Sequence, residues 1–151
     1  MKRRIVVNAK RCTGCKACEL ACALAHSGLA GIAELALSGR KPGYRLHVKT
    51  AGKHAKPVIC RHCIAAPCVK ACAAGALGRK SPDEPVLLDE QKCVGTAGCV
   101  EACPFHVLIM NRETGKVLKC DLCVERLARG LEPACAEACP PGALVFVSSG
   151  G

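Results

Sequence analysis

The chain has 151 residues, 15 of them cysteine, and a formal charge of +10 from 22 basic and 12 acidic residues. It contains no tryptophan, one tyrosine and two phenylalanines, so aromatic side chains supply little of its core and few surfaces for stacking bases. This composition argues against nucleic-acid binding. The basic N-terminus lacks the apolar region of a secretory signal, and no run approaches the roughly 20 apolar residues of a membrane span. We therefore expect a cytoplasmic protein without a membrane span.

The predicted elements are short strands that alternate with short helices. Strands are predicted at 4–8, 44–50, 85–89, 106–111, 116–120 and 143–148, where apolar and β-branched residues cluster. Helices are predicted at 18–26, at 121–130 with Gly130 as its C-cap, and after the third cysteine of each cysteine run. Residues 111–117 are predicted to form a hairpin turn, because Gly115 permits a positive φ. Between the first helix and the 44–50 strand we expect a loop.

The cysteines form four runs of related spacing, which make an internal repeat. The runs are Cys12, Cys15, Cys18 and Cys22; Cys60, Cys63, Cys68 and Cys72; Cys93, Cys99 and Cys103; and Cys120, Cys123, Cys135 and Cys139. The first run matches the bacterial ferredoxin pattern C-x2-C-x2-C-x3-C, whose fourth cysteine ligates a second cluster. Each run keeps the final spacing, which puts its last two cysteines on one face of a helix.

Two other uses of these cysteines are less consistent with the sequence. A disulfide scaffold is disfavoured because the odd count leaves a thiol unpaired and no secretory signal is present. Zinc sites use two separated cysteine pairs, whereas closely spaced triplets with a fourth cysteine suit the corners of an iron–sulfur cubane. Four such centres would also add about eight negative charges, which offsets most of the basic excess.

The third run has Thr96 where the repeat calls for a cysteine. A threonine hydroxyl resists the deprotonation that a metal ligand requires. Three alternatives follow: a [3Fe–4S] centre, a [4Fe–4S] centre with water, hydroxide or the Thr96 oxygen on its fourth iron, or an empty site. We favour the first. Because a lost thiolate removes negative charge, we expect this centre to have the highest reduction potential of the four.

Three segments carry a resemblance to a known family: CRHCIAAPC, CPFHVLIMNRETGKVLKCDLC and EPACAEACPPGALVF. They resemble the four-cluster ferredoxin-type electron-transfer subunits of molybdenum and tungsten enzymes such as dimethyl sulfoxide reductase, formate dehydrogenase and aldehyde oxidoreductase, and of carbon monoxide dehydrogenase and hydrogenase. The resemblance implies an α+β fold with two ferredoxin-like modules built from short strands and helices around the clusters. It implies an outer module at 1–57 plus 104–151, with runs one and four, and an inserted module at 58–103, with runs two and three.

The resemblance also implies which cysteines share a centre. The implied sets are Cys12, Cys15, Cys18 with Cys139; Cys120, Cys123, Cys135 with Cys22; Cys60, Cys63, Cys68 with Cys103; and Cys93, Cys99 with Cys72, where Thr96 occupies the position of the sixteenth ligand. Three sets would hold [4Fe–4S] clusters, and the fourth is the centre for which we favour [3Fe–4S]. In the nitrate reductase relatives, a non-cysteine residue at this place accompanies such a centre.

The sequence shows no nucleophile–base pair, phosphate-binding loop or substrate-pocket signature, so we expect no catalytic site. The resemblance implies a relay of single electrons between a large catalytic subunit and a second redox subunit or carrier. The alternatives are a freestanding soluble polyferredoxin and a self-assembling scaffold that joins enzyme units. We interpret His62 as structural, and the basic stretch 40–56 as solvated surface rather than a docking site.

Overall fold

The computed structural model describes residues 3–149, so the outermost residues of the predicted outer module, 1–2 and 150–151, lie outside it. The strands are β1 (Arg3–Val7), β2 (His47–Ala51), β3 (His54–Val58), β4 (Leu77–Gly78), β5 (Leu87–Leu88), β6 (Ile109–Asn111), β7 (Lys116–Leu118) and β8 (Leu144–Ser148). The helices are α1 (Ala17–Ala25), α2 (Ile32–Leu37), α3 (Pro67–Lys70), α4 (Gly98–Ala102), α5 (Val124–Ala128) and α6 (Ala134–Glu137). These small helices and short strands confirm the predicted mixed α and β class.

The strands pair as two-stranded antiparallel ribbons rather than as one sheet. The ribbons are β1–β8, β2–β3, β4–β5 and β6–β7. The β1–β8 ribbon joins the segment before run one to the segment after run four. The predicted hairpin turn is the connection between β6 and β7, and Gly115 there has a φ of 68°.

Each predicted strand is present, with bounds that differ where the chain approaches a cysteine. The strand predicted at 44–50 begins only at His47, because the backbone N–H of Arg45 donates to the sulfur of Cys22 at 3.3 Å. The helix predicted at 121–130 is α5, which begins at Val124. Leu122 and Cys123 have φ of 60° and 50°, so the backbone turns around the cysteines before the helix starts.

The loop predicted between the first helix and the 44–50 strand is wrong in one part, because α2 (Ile32–Leu37) lies there. The strand β3 (His54–Val58) was also missed. Its sequence HAKPV contains a proline, which lowers the strand preference, so its strand character depends on pairing with β2.

A short helix follows the same position in all four cysteine runs, as predicted. The helices α1, α3, α4 and α6 begin one residue before Cys18, Cys68, Cys99 and Cys135 respectively. In the first three, the residue before the helix has left-handed backbone conformation. In these three runs the chain therefore leaves the cysteine loop by a sharp turn into the helix that carries the third cysteine.

The interior consists of two apolar clusters. The first core includes Leu46, Val48 and Leu144 together with cysteines of runs one and four, and within it α1 packs against α6. The second core includes Leu77, Val86 and cysteines of runs two and three, and there α3 packs against α4. Val107, Leu108 and Val117 belong to the second core, although they follow the third run in sequence.

No helix within residues 3–149 is both long and apolar enough to cross a membrane.

Candidate metal centres

All fifteen cysteines lie among the described residues, and each has a free thiol. Burial varies among them: Cys18, Cys22, Cys99, Cys103, Cys123 and Cys135 are buried, whereas Cys15 is exposed. Since aromatic residues are few, these sulfurs form a substantial part of both cores.

The first set combines run one with the end of run four. Burial raises the pKa of Cys18 to about 11, and the nearby charges of Glu19 and Cys139 contribute to the rise. Cys12 and Cys139 both pack against the first core that contains Cys18. Cys15 is exposed. The fold therefore brings Cys139 to the cysteines of run one.

The second set lies deeper in the same core. Burial raises the pKa of Cys135, and the neighbouring thiols of Cys120, Cys22 and Cys123 raise it further. These are the three cysteines that the resemblance groups with Cys135. The fold thus brings the last cysteine of run one to the first three of run four.

The third set lines a cavity in the second core. Cys60, Cys63, Cys68 and Cys103 line it, together with apolar residues that include Val86 and Leu108. Burial raises the pKa of Cys68, and the neighbouring thiols Cys60 and Cys103 act in the same direction. Four thiols that converge on an apolar cavity are an arrangement typical of a buried iron–sulfur cluster.

The fourth set consists of Cys72, Cys93 and Cys99, and Thr96 lies between the last two in the sequence. Burial raises the pKa of Cys99, with Cys72 and Cys93 among its closest ionisable neighbours. Thr96 is exposed. Gly95 has a φ of +75°, and a Cβ there would collide with the carbonyl oxygen of Gly115 in the β6–β7 turn. The loop that carries Thr96 therefore lies directly against this hairpin.

Backbone amides donate to several of the sulfurs. The bonds are Arg45 N–H to Cys22 at 3.3 Å, His62 N–H to Cys60 at 3.4 Å, Ala76 N–H to Cys72 at 3.3 Å, Leu122 N–H to Cys120 at 3.4 Å and Ala143 N–H to Cys139 at 3.2 Å. Runs two and four share the same pattern: the amide two residues after the first cysteine donates to that cysteine, and the amide four residues after the last cysteine donates to the last one. Donors of this kind stabilise the thiolate, which is the metal-binding form.

Two buried side-chain N–H groups in the described structure have no partner, and both lie beside these sets. They are Arg45 Nε and His62 Nε2. His62 Nδ1 accepts the Val86 N–H at 3.1 Å, which places the ring proton on Nε2. Burial and the charges of Lys119 and Arg79 lower the pKa of His62 to about 3, so its ring is neutral. Unpaired buried donors fit a cluster whose sulfides accept hydrogen bonds.

A network of charged side chains braces the second set. His26 donates from Nδ1 to the Cys22 carbonyl at 2.8 Å and from Nε2 to Asp121 at 3.1 Å. Arg45 pairs with Asp121 at 3.2 Å, and Asp121 also accepts the Cys123 N–H at 2.9 Å. Burial opposes protonation of His26, but the hydrogen bonds to Asp121, Cys123 and Cys22 raise its pKa to about 12.

The same network bears on the zinc alternative. Ligand atoms of His26, Asp121 and Cys123 lie within 4.8 Å of one another, a grouping that could hold a cation. Both ring nitrogens of His26 already donate hydrogen bonds to oxygen acceptors, so the ring offers no lone pair to a metal. The cluster of charges therefore positions cysteines rather than forming a separate metal site.

Lys119 lies between the two cores. It is 3% exposed, and its amino group donates to the carbonyls of Val86 at 2.6 Å and Cys120 at 2.8 Å. Its nitrogen is also 3.6 Å from the sulfur of Cys60. Cys120 and Cys60 are close enough for their charges to interact. The junction between the cores thus contains one cysteine from each and a buried basic side chain.

Sequence reasoning did not identify Lys119, Asp121, Arg45 or His26 as site residues. Asp121 is 95 residues from His26, so their contact depends on the tertiary fold. The sequence did contain one signal for Lys119 and Asp121, since they are the residues immediately before and after Cys120.

Comparison with known proteins gives a consistent picture. A family model described as a 4Fe-4S dicluster domain matches residues 53–149. The thiosulfate reductase electron transfer subunit PhsB of Salmonella typhi is 40% identical over 91% of this chain and 71% of its own length. An iron-sulfur protein of Rhodospirillum rubrum is 39% identical over 95% of this chain and 80% of its own length.

Other matches define how far the similarity extends. UacF of Escherichia coli is 44% identical over 100% of this chain, which spans only 22% of the length of UacF. Among solved structures, the benzoyl coenzyme A reductase active-site complex BamBC contains a chain that matches with a TM-score of 0.53 and 24% identity. This match covers 99% of the present chain and 80% of the other, and it supports the fold alone.

The family model covers more than half of the chain, and the PhsB and Rhodospirillum matches extend over most of the length of both partners. Their names describe electron-transfer and iron–sulfur proteins rather than catalytic subunits. The resemblance and the iron–sulfur chemistry inferred from the sequence are thereby confirmed, while the number of clusters and their ligand sets remain predictions. The chain belongs to the 4Fe-4S dicluster domain family.

Proposed function

We propose that this chain is an electron-transfer subunit that relays single electrons between a catalytic oxidoreductase subunit and another redox carrier. Bound iron–sulfur clusters would each supply a reversible one-electron couple. The observation that carries the proposal is that cysteines of runs one and four share one apolar core and cysteines of runs two and three share the other. The naming of PhsB as an electron transfer subunit supports the same role.

We assign the ligands to four centres as the sequence resemblance implies. The first is held by Cys12, Cys15, Cys18 and Cys139; the second by Cys22, Cys120, Cys123 and Cys135; the third by Cys60, Cys63, Cys68 and Cys103; and the fourth by Cys72, Cys93 and Cys99, beside Thr96. The interactions of Cys18, Cys135, Cys68 and Cys99 with their neighbours support this grouping. The cavity lined by all four cysteines of the third set supports it further.

The two-module organisation is part of the proposal. An outer module, 1–57 plus 104–151, would hold the first and second centres, and an inserted module, 58–103, would hold the third and fourth. The division of the cysteines between two apolar cores supports it. In addition, the residues of the β6–β7 hairpin pack on the second core, so this part of the outer module covers the inserted one.

Residues of this chain would shield the centres from water and would place charged and hydrogen-bonding groups between them. Lys119 and the pair Cys60 and Cys120 lie where the cores meet, which supports a route for electrons between the second and third centres. Arg45 Nε and His62 Nε2 are available to donate hydrogen bonds to bound sulfide.

Thr96 would leave the fourth centre one thiolate short. We favour a [3Fe–4S] cluster there, with a [4Fe–4S] cluster bearing a non-cysteine ligand as the alternative. Thr96 is exposed, which supports either form, since solvent would have access to the cluster corner that lacks a thiolate. The loss of one thiolate charge would give this centre the highest potential of the four.

The partner is inferred only as a class. PhsB and a tetrathionate reductase relative from Salmonella typhimurium are both named as subunits of reductases. We therefore propose a large catalytic subunit, such as a molybdenum or tungsten enzyme, and a second redox subunit or carrier. A freestanding polyferredoxin and a self-assembling scaffold are the competing functions, and no described feature favours either of them.

Anaerobic purification from the native host tests the proposal. We expect the chain to co-purify with a large cofactor-bearing subunit and to show stepwise one-electron reduction in a redox titration followed by EPR. A reducible monomer would support the polyferredoxin instead, and a filament would support the scaffold. A chain without reducible centres would contradict all three functions.

A further inference from the structure

We propose that the groove between β1 and β3 is the docking site for the acidic surface of a protein that exchanges electrons with the third centre. This inference rests on the proposed function, because it concerns where an electron enters or leaves the chain. It assigns a role to Lys49 and Lys56, which belong to the basic stretch 40–56 that the sequence alone favours as solvated surface.

The groove has a volume of about 600 Å³. Its walls are the consecutive residues Arg4–Val7 of β1 and the segment 56–62, which begins in β3 and continues through Cys60. Val6 contributes an apolar surface that is 40% exposed. The site is therefore a shaped depression with apolar and charged walls rather than a flat charged face.

The charge of the groove has one sign. Four basic side chains line it, and no aspartate or glutamate does: they are Arg4, Lys49, Lys56 and Arg61. All four are exposed, and none belongs to the ion pairs that the described structure contains. Such a cleft concentrates positive potential and accelerates the approach of an acidic partner.

The strand pairing adds a second observation. Lys49 of β2 lies directly opposite Lys56 of β3 in the antiparallel ribbon. Like charges at directly opposed positions repel and destabilise a ribbon. An acidic group bound in the groove would relieve that repulsion, so the pair costs the free chain stability and favours the complex.

The position of the groove indicates what kind of partner it serves. Cys60, Arg61 and Phe105 line both the groove and the cavity of the third set. The Arg61 guanidinium lies 4.2 Å from the centre of the Phe105 ring, so these two side chains form a shared wall. A protein docked here is separated from the third centre by a single layer of side chains, which favours a redox partner over a nucleic acid.

The test uses the reconstituted chain and its double variant Lys49→Glu with Lys56→Glu. The matched control is Lys41→Glu with Lys80→Glu, which makes the same change in net charge at exposed lysines outside the groove. The neutral pair Lys49→Gln with Lys56→Gln serves if the charge-reversed variant fails to fold. Reduced flavodoxin is the acidic protein donor, and reduced methyl viologen is the small cationic donor, each mixed with the oxidised chain in a stopped-flow instrument.

We expect the groove variant to lower the second-order rate constant with flavodoxin about tenfold or more at low ionic strength, and the control variant to lower it much less. The difference should shrink at high ionic strength, because salt screens exposed charges. Reduction by methyl viologen should proceed in all variants, and its failure would instead overturn the proposed electron-transfer function. Equal slowing in the groove and control variants would overturn the docking site, as would tighter binding of a single-stranded DNA oligonucleotide than of a glutamate oligopeptide in this groove.

Discussion

The two cores repeat one local design but differ in how they hold their cysteines. The first core contains cysteines of runs one and four, and the charged network of His26, Arg45 and Asp121 joins these two runs. The second core contains cysteines of runs two and three, and Thr96 lies on a loop that packs against the β6–β7 hairpin. The left-handed residue before the helix is present in run three as in runs one and two, so the loop geometry is retained where a cysteine is missing. This retention is consistent with the proposed fourth centre.

Removal of iron is expected to have the largest effect, because both cores depend on it. Chelation under reducing conditions should abolish the cooperative unfolding transition, a loss on the order of 5–15 kcal/mol that corresponds to the whole stability of a domain. The reason is that the free energy of cluster binding is lost, and thiols that burial keeps protonated would surround the unfilled space. Circular dichroism during thermal unfolding measures this, and iron with sulfide should restore the transition. A cooperative transition in the iron-free chain would refute the shared dependence.

Asp121→Asn should weaken the first core selectively. The substitution keeps an acceptor for the Cys123 N–H but leaves His26 without a carboxylate partner and Arg45 with only the exposed Glu90, 3.6 Å away. We expect the free energy of unfolding to fall by about 3 kcal/mol, the lower end of the range for a broken buried ion pair, because Asp121 is partly exposed.

Denaturant unfolding of the loaded protein measures this change, with Asp83→Asn as the control at an exposed carboxylate. EPR of the same samples should show the second centre altered and the fourth unchanged. An equal effect of both substitutions would contradict the role of the network.

Gly95→Ala should act on the second core. Its positive φ and the collision with the Gly115 carbonyl both oppose a side chain, and we expect a destabilisation of about 2 kcal/mol with loss of iron from the fourth centre. Gly28→Ala separates the two causes, because Gly28 has a φ of +73° and open space around it. We expect that control to cost about 1 kcal/mol and to keep its full iron content. Similar iron loss in both variants would argue against the close packing of the Thr96 loop.

The sequence predicted the parts of the fold that repeat and missed those that depend on distant contacts. The spacing of the cysteines was sufficient to expect a helix at Cys18, Cys68, Cys99 and Cys135, because the last two cysteines of every run are four residues apart. Residues at this spacing lie on one face of a helix. It could not reveal β3, whose Pro57 lowers its strand preference and whose partner is β2. Nor could it reveal that Lys119 lies near Cys60, because that contact exists only where the two cores meet.

Iron content and low-temperature EPR of the unchanged chain and of Thr96→Cys would decide the nature of the proposed fourth centre. We expect about fifteen irons per chain and the spin-half signal of an oxidised [3Fe–4S] cluster, whereas Thr96→Cys should bind about sixteen irons and lose that signal. Thr114→Cys, on the exposed β6–β7 turn, should leave both observations unchanged. About sixteen irons and no such signal in the unchanged chain would contradict the [3Fe–4S] assignment, and about twelve irons or fewer would contradict a fourth centre altogether.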